Sequence, residues 1–284
     1  MKVAVIGAGT MGSGIAQACA LAGHEVTLLD TGADVLARAR SGMQHSLERM
    51  VKKETVTESD AADALARVRT REDVDGLEDA GVVIEAVYES IDVKRDVWQR
   101  IARVTSEGAL LATNTSSLSV TQIAAFSGRP ERFCGMHFFN PVPVMALVEV
   151  VRGLRSSEET VEQARAFAEG IGKTPIVCED KPGFIVNRLL IPYINDAAHA
   201  LSEGVASAED IDRAMKLGAN MPIGPLQLAD LVGLDVGLAA TEALFEEFGD
   251  PKFRPAPLMK QMVRAGKLGR KTGEGFYSYD RAGR

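Results

Sequence analysis

Residues Gly7-Ala8-Gly9-Thr10-Met11-Gly12 form a GxGxxG string between a short apolar run, Val3 to Ile6, and a stretch of small apolar residues with helical spacing. Placed between a strand and a helix, such a string binds a dinucleotide. Gly7 permits the tight turn, Gly9 lets backbone approach a pyrophosphate, and Gly12 lets the helix pack on the strand. Ala8, Thr10 and Met11 complete the loop, and the helix start turns unpaired N–H groups and a partial positive charge toward the phosphates. The bare alternative is an ordinary tight turn. Asp30 ends the next apolar run, where a dinucleotide fold places the acid that binds the adenosine ribose hydroxyls. A carboxylate there repels a 2′-phosphate, and no arginine follows before Arg38, so the expected cofactor is NAD rather than NADP. Read alone, Asp30 also suits a helix cap or a turn.

The segments that must position these residues alternate. Apolar runs of strand length fall at 3–6, 25–29, 82–86, 109–113 and 133–138, and helical patterns at 14–22, 33–53 and 92–104 lie between them. That alternation predicts an α/β fold, a parallel sheet covered by helices. After Pro182-Gly183 the strands are expected to stop. Val186, Leu189, Leu190, Tyr193, Ile194, Ala197 and Leu201 mark a helix over 184–201, kinked at Pro192. Further helices are expected over 208–217, 226–231, 236–248 and 257–265. The predicted organisation is a Rossmann-type dinucleotide-binding domain over 1–183, followed by an all-helical domain over 184–284.

Composition narrows the function. Hydrophobic residues make up 46% of the 284-residue chain and charged residues 25%, the balance of a globular protein with a useful core. A net charge of −7 without a basic stripe argues against nucleic acid. Cys19, Cys134 and Cys178 are far apart, each among apolar neighbours, and make no zinc-binding pattern. They read as buried, reduced thiols. No apolar run approaches the ~18 residues of a membrane span, and the opening strand leaves no room for a signal peptide, so a cytoplasmic protein is expected.

The glycine string implies a dinucleotide without naming a reaction. Further strings do more: Asn114-Thr115-Ser116-Ser117-Leu118-Ser119, Gly135-Met136-His137-Phe138-Phe139-Asn140-Pro141, Val148-Glu149-Val150, Pro182-Gly183-Phe184-Ile185-Val186-Asn187-Arg188, and residues 268–277 from Leu268 to Tyr277. In this order, over nearly the whole chain, they resemble the 3-hydroxyacyl-CoA dehydrogenase family, most nearly its bacterial single-function 3-hydroxybutyryl-CoA members.

The resemblance implies NAD-dependent oxidation of a short (S)-3-hydroxyacyl-CoA, with His137 as general base held by Glu149. The residues are compatible with that pairing. If the strands flanking Pro141 and Pro143 form a hairpin centred near Pro143, positions 137 and 149 face each other. A carboxylate beside imidazole favours its charged form and fixes its tautomer. His24, His45 and His199 lack such a setting and read as structural or surface groups.

By the same resemblance Ser116 bonds the substrate's 3-oxygen and Asn187 approaches it from the second domain. Asn-Thr-Ser-Ser is also cap-like composition, and Asn187 also reads as a helix-face amide. Glu89, Lys94, Asn114 and Asn140 are implied to line the cofactor site, Asn140 chiefly orienting His137, and Lys271 to reach that site from the C-terminal segment. Ser46 and Lys53 match positions that contact coenzyme A, although a polar helix face explains them equally. Fold analogy suggests a homodimer through the helical domain. Two other functions stay open: a related dehydrogenase of a free 3-hydroxy acid, of carnitine or gulonate type, and a dinucleotide-binding module without catalysis.

Overall fold

The computed structural model describes residues 1–74 and 76–279, and contacts divide it into one unit of Met1–Lys181 and another from Pro182 onward. The first unit opens with β1 (Lys2–Ile6), α1 (Thr10–Leu21), β2 (Glu25–Leu29), α2 (Ala33–Lys52), α3 (Glu58–Arg67) and β3 (Val68–Arg71). It continues with β4 (Val82–Glu85), α4 (Ile91–Ile101), β5 (Leu110–Thr113), α5 (Val120–Phe126), β6 (Phe133–Phe138), β7 (Leu147–Arg152), α6 (Glu158–Gly170) and β8 (Thr174–Glu179). The strands form one sheet in the order β3-β2-β1-β4-β5-β6-β7-β8. All neighbours are parallel except β6 and β7.

The apolar runs are strands because both faces of the sheet are covered. Every residue of β4, β5 and β6 is buried, so these segments read as continuous apolar runs rather than alternating ones. Three strands were invisible to that criterion: β7, whose run is interrupted by Glu149 and which entered only as one arm of a conditional hairpin, and the two edge strands. β3 (Val-Arg-Thr-Arg) is an edge strand with a single buried residue, Val68. β8 closes the other edge and contains Pro175, which an edge strand tolerates because no ladder need receive its missing N–H. α1 begins at Thr10, ahead of the expected start, because the glycine loop is itself the first turn: Ser13 N–H donates to the Gly9 carbonyl at 2.9 Å.

Register places the functional segments. Ile6 lies beside both Leu29 and Glu85, Glu85 beside Thr113, and Thr113 beside Gly135. Gly7, Asp30, Ala86 and Asn114 therefore leave the sheet along one edge, at its carboxyl ends. The chain runs to opposite sides of β1 there, which opens the crevice where doubly wound sheets bind ligands.

In the second unit the strands do stop among the described residues; only isolated bridges at Gly269–Glu274 and Glu274–Ser278 remain. Its helices are α7 (Val186–Ser202), α8 (Ala208–Gly218), α9 (Pro225–Val232), α10 (Leu234–Phe248) and α11 (Pro257–Arg264). α7 runs through Pro192 as one helix. Asp212 holds the start of α9 by accepting from the Leu226 and Gln227 N–H groups, at 2.8 and 2.9 Å. Asp230 holds the C-terminal segment by accepting from Phe276 N and Tyr277 N, both at 2.9 Å. No described helix is long and apolar enough to cross a membrane.

The thiols depart from expectation at one position. Cys19 and Cys134 are buried, and burial pushes each thiol up to about 12. Cys178 is only half-buried, because it sits on the edge strand β8.

The loop glycines do different work. A Cβ on Gly12 would lie 1.8 Å from the Gly7 carbonyl oxygen, and one on Gly7, whose φ is +100°, would lie 2.6 Å from the Ala86 oxygen. A Cβ on Gly9 would meet no protein atom within 4 Å. Gly9→Ala is therefore expected to keep the melting temperature of the parent while weakening NADH binding at least about tenfold by fluorescence titration, since its methyl projects where phosphate approaches. Gly12→Ala is expected to lower the melting temperature as well. Equal thermal losses in both variants would contradict this division.

Candidate active site

His137 and Glu149 pair across the β6–β7 ladder, in the register of a hairpin centred on Pro143. Both are buried, and His137 Nδ1 lies 2.6 Å from Glu149 Oε2. Facing a carboxylate, Nδ1 carries the proton and donates, which puts the lone pair of the neutral ring on Nε2. The His137 ring also packs on Phe139, centroids 4.5 Å apart.

Three contacts hold this hairpin. Past the end of β5, Asn114 Oδ1 accepts from the Phe138 N–H at 2.9 Å, extending the support of β6 beyond its last β5 partner. Lys173 Nζ donates to the carbonyls of Val142 and Met145 in the connecting turn, at 2.5 and 2.9 Å. On the other side the turn lies against α1 at Gly14, where a Cβ would come within 2.9 Å of Val142. Asn114 thus has a positioning task in addition to the ligand contact expected of it. Lys173 carries no local sequence signal.

Ser116 lies in the loop after β5. The helix-capping alternative belongs to its neighbour Ser119, whose hydroxyl accepts from Gln122 N at the start of α5. The Ser116 N–H instead donates to Glu89 Oε1 at 2.9 Å, and the same oxygen takes the Thr115 hydroxyl at 2.5 Å. The other Glu89 oxygen lies 3.2 Å from Lys94 Nζ. Burial alone would raise the Glu89 carboxyl, but Lys94, the Thr115 hydroxyl and the Ser116 N–H together hold it below its ordinary range. Lys94 itself is fully enclosed, 2.6 Å from the equally enclosed Glu85, and its surface is taken up by the protein rather than turned to solvent. Glu85 was overlooked in the sequence, where a charge ending the run Val82-Val83-Ile84 was its only signal.

Two cavities flank the glycine loop. One, of about 560 Å³, is lined by Gly7, Gly9, Asp30 and Glu72 among others. Asp30 also braces the loop, its Oδ2 accepting from Ala8 N at 2.8 Å and its Oδ1 from Gly32 N at 3.3 Å. The space beyond Gly9, the positive φ at Gly7 and the acids at the ribose end fit NAD, and the carboxylates disfavour a 2′-phosphate. The second cavity, about 490 Å³, lies between α2 and the 140–143 turn, with Ser46, Arg38, Arg49 and Asn140 in its walls. Ser46 thus lines a cavity. Lys53 is an exposed residue at the end of α2, and the cations in this wall are Arg38 and Arg49. In the second unit Asn187 is half-buried near the start of α7, and Lys271 Nζ pairs with Asp235 at 2.5 Å.

A glycine loop, an acid ending β2 and a buried His–Glu pair along one sheet edge define an NAD-dependent oxidoreductase of the doubly wound class. Residues 2–181 match the NAD binding domain of 3-hydroxyacyl-CoA dehydrogenase and residues 183–279 its C-terminal domain, so the chain belongs to that family. It is 48% identical to a 3-hydroxybutyryl-CoA dehydrogenase of Bradyrhizobium diazoefficiens over 98% of this chain and 95% of that one. With the Clostridioides difficile protein of the same name it shares 46% identity, over 99% and 100% of the two chains. The crystal structure of (S)-3-hydroxybutyryl-CoA dehydrogenase from Ralstonia eutropha superposes with a TM-score of 0.96 at 50% identity, covering 99% of each chain.

The Glu89 cluster predicts a pH dependence. A carboxyl held below its ordinary 4.5 contributes stability that is present above that value and lost as pH falls through the lowered one. The stability advantage of the parent over Glu89→Gln, measured by urea unfolding, is expected to be full near neutrality and to shrink on acidification below about 4.5. An advantage that is constant down the acid limb would refute the assignment.

Proposed function

We propose that this chain catalyses the reversible oxidation of a short-chain (S)-3-hydroxyacyl-CoA, 3-hydroxybutyryl-CoA foremost, to the 3-ketoacyl-CoA. The observation that carries the reading is the buried His137–Glu149 pair on the sheet edge that also bears the glycine loop. Family membership and the names of the relatives support the substrate class.

NAD, when bound, supplies the redox half of the reaction by accepting hydride from the alcohol carbon. The protein moves the proton. His137 Nε2 takes it from the 3-hydroxyl as the carbonyl forms, and the imidazolium returns it in the reverse direction. Glu149 stays ionised, holds the ring through Nδ1 and stabilises the imidazolium, as the acid of a hydrolase triad does. Ser116 bonds the 3-oxygen and stabilises charge on it. The family resemblance assigns Asn187 to the same oxygen. Residues 7–12, Asp30, Glu89, Lys94, Asn114, Asn140 and Lys271 are proposed for the cofactor, and Ser46 and Lys53 for coenzyme A.

A free 3-hydroxy acid is the competing substrate class. Arg38 and Arg49 in the wall beside the glycine loop favour a substrate that carries phosphates. We further propose a cytoplasmic homodimer. Exposed Leu217, Leu231 and Val236 in the helical unit support the dimer, and sedimentation as a monomer at micromolar concentration would count against it.

One kinetic series tests the function: acetoacetyl-CoA, longer 3-ketoacyl-CoAs and free acetoacetate, each with NADH and with NADPH. The expected preference is acetoacetyl-CoA with NADH, and a preference for the free acid would refute the proposal. In the same assay Glu149→Gln is expected to keep fold and NADH binding while turnover falls about two to four orders of magnitude. Near-normal turnover would remove the role given to Glu149.

A further inference from the structure

Glu85 is a carboxylate at the end of a fully buried strand, with its side chain completely enclosed. Its Oε1 accepts from Lys94 Nζ at 2.6 Å and from Val87 N at 2.9 Å. Its Oε2 accepts from the Thr113 hydroxyl at 2.8 Å and from Trp98 Nε1 at 3.3 Å. These donors come from β5, α4 and the loop after β4, so one side chain ties three segments together at the carboxyl edge of the sheet. Lys94 then passes the connection outward to Glu89, and Glu89 Oε1 gathers the Thr115 hydroxyl and the N–H groups of Ser116 and Ser117.

A structural tie alone does not explain this choice of residues. Well-packed apolar side chains would join β4, β5 and α4 at no loss of stability, because burying ions costs solvation that their attraction barely offsets. What the ionic chain adds is direction: it fixes where the Glu89 carboxylate sits, and that carboxylate fixes the backbone at Ser116. We propose that Glu85 is a positioning residue for the dehydrogenase reaction, acting through Lys94 and Glu89 to set the place of Ser116. The proposal rests on the role given above to Ser116 as the residue that bonds the substrate's 3-oxygen.

The test is a double-mutant cycle of Glu85→Gln against Ser116→Ala. Each protein is assayed with acetoacetyl-CoA and NADH well below its measured melting temperature. Glu85→Gln is expected to lower kcat about ten- to a hundredfold, the order of loss that an ångström-scale misplacement brings. At saturating NADH the double variant is expected to be no worse in kcat than Ser116→Ala, because the placement that Glu85 sets acts on kcat through that hydroxyl, while any disturbance of the cofactor contact proposed for Glu89 appears in the KM for NADH. Losses that multiply, or a Glu85→Gln enzyme with a lowered melting temperature and normal kcat, would overturn the proposal and leave the reaction assignment intact. Normal kcat in Ser116→Ala would instead overturn the role of Ser116, and this inference with it. If Glu85→Gln does not fold, Thr113→Val carries the same cycle. It removes one bond to Glu85 without touching charge, and it is expected to lower kcat about threefold in the Ser116 background of the parent and not at all in Ser116→Ala.

Discussion

The antiparallel pairing of β6 with β7 is the constraint on which the site depends. Every other neighbouring pair in the sheet is parallel, and a parallel neighbour could not bring Glu149 opposite His137 through so short a connection. The turn reverses the chain, the ladder puts the two side chains in register, and burial of both makes their hydrogen bond strong. The Asn114 amide and the Lys173 ammonium then hold this hairpin from either side. The proposed proton-transfer group is thereby built on sheet rather than loop, which gives it a fixed position.

The neighbouring group of buried charges obeys a harsher energetic rule. Enclosing Glu85 and Lys94 removes both from water, and breaking such a pair by deleting one partner costs about 3–5 kcal/mol. The structure offsets the desolvation by giving each Glu85 oxygen more than one donor and Lys94 a second carboxylate. These bonds converge on the ends of β4 and β5, where the chain leaves the sheet and would otherwise be least constrained. The loop that holds Ser116 is consequently braced by Glu89 on one side. On the other, Asp180 accepts from Val120 N and Thr121 N at the start of α5.

Much of the fold was legible because its signals are local. The glycine string, the acid ending β2 and the apolar runs of β1, β2 and β6 needed only strand length and turn chemistry to be read. The two prolines marked a turn after β6, and a hairpin centred near Pro143 was the condition under which the implied His137–Glu149 pair would meet. β3 and β8 were not legible, since edge strands bury too little to require an apolar run. The expectation of three buried thiols erred at Cys178 for the same reason.

What the sequence by itself determined is the class of fold and the place of the dinucleotide loop, each from residue types within a short segment. The pairing of His137 with Glu149 was implied by the family resemblance, and the ladder register is what sets the two opposite each other. Only the tertiary structure decided which charges are enclosed and with whom. Glu85 finds Thr113 across the sheet, Lys94 bridges two carboxylates, and Arg38 and Arg49, in place of Lys53, face the second cavity. The physical reason is that an ionisable side chain is stabilised by whatever partners surround it in space, and those partners come from segments whose meeting no local pattern encodes.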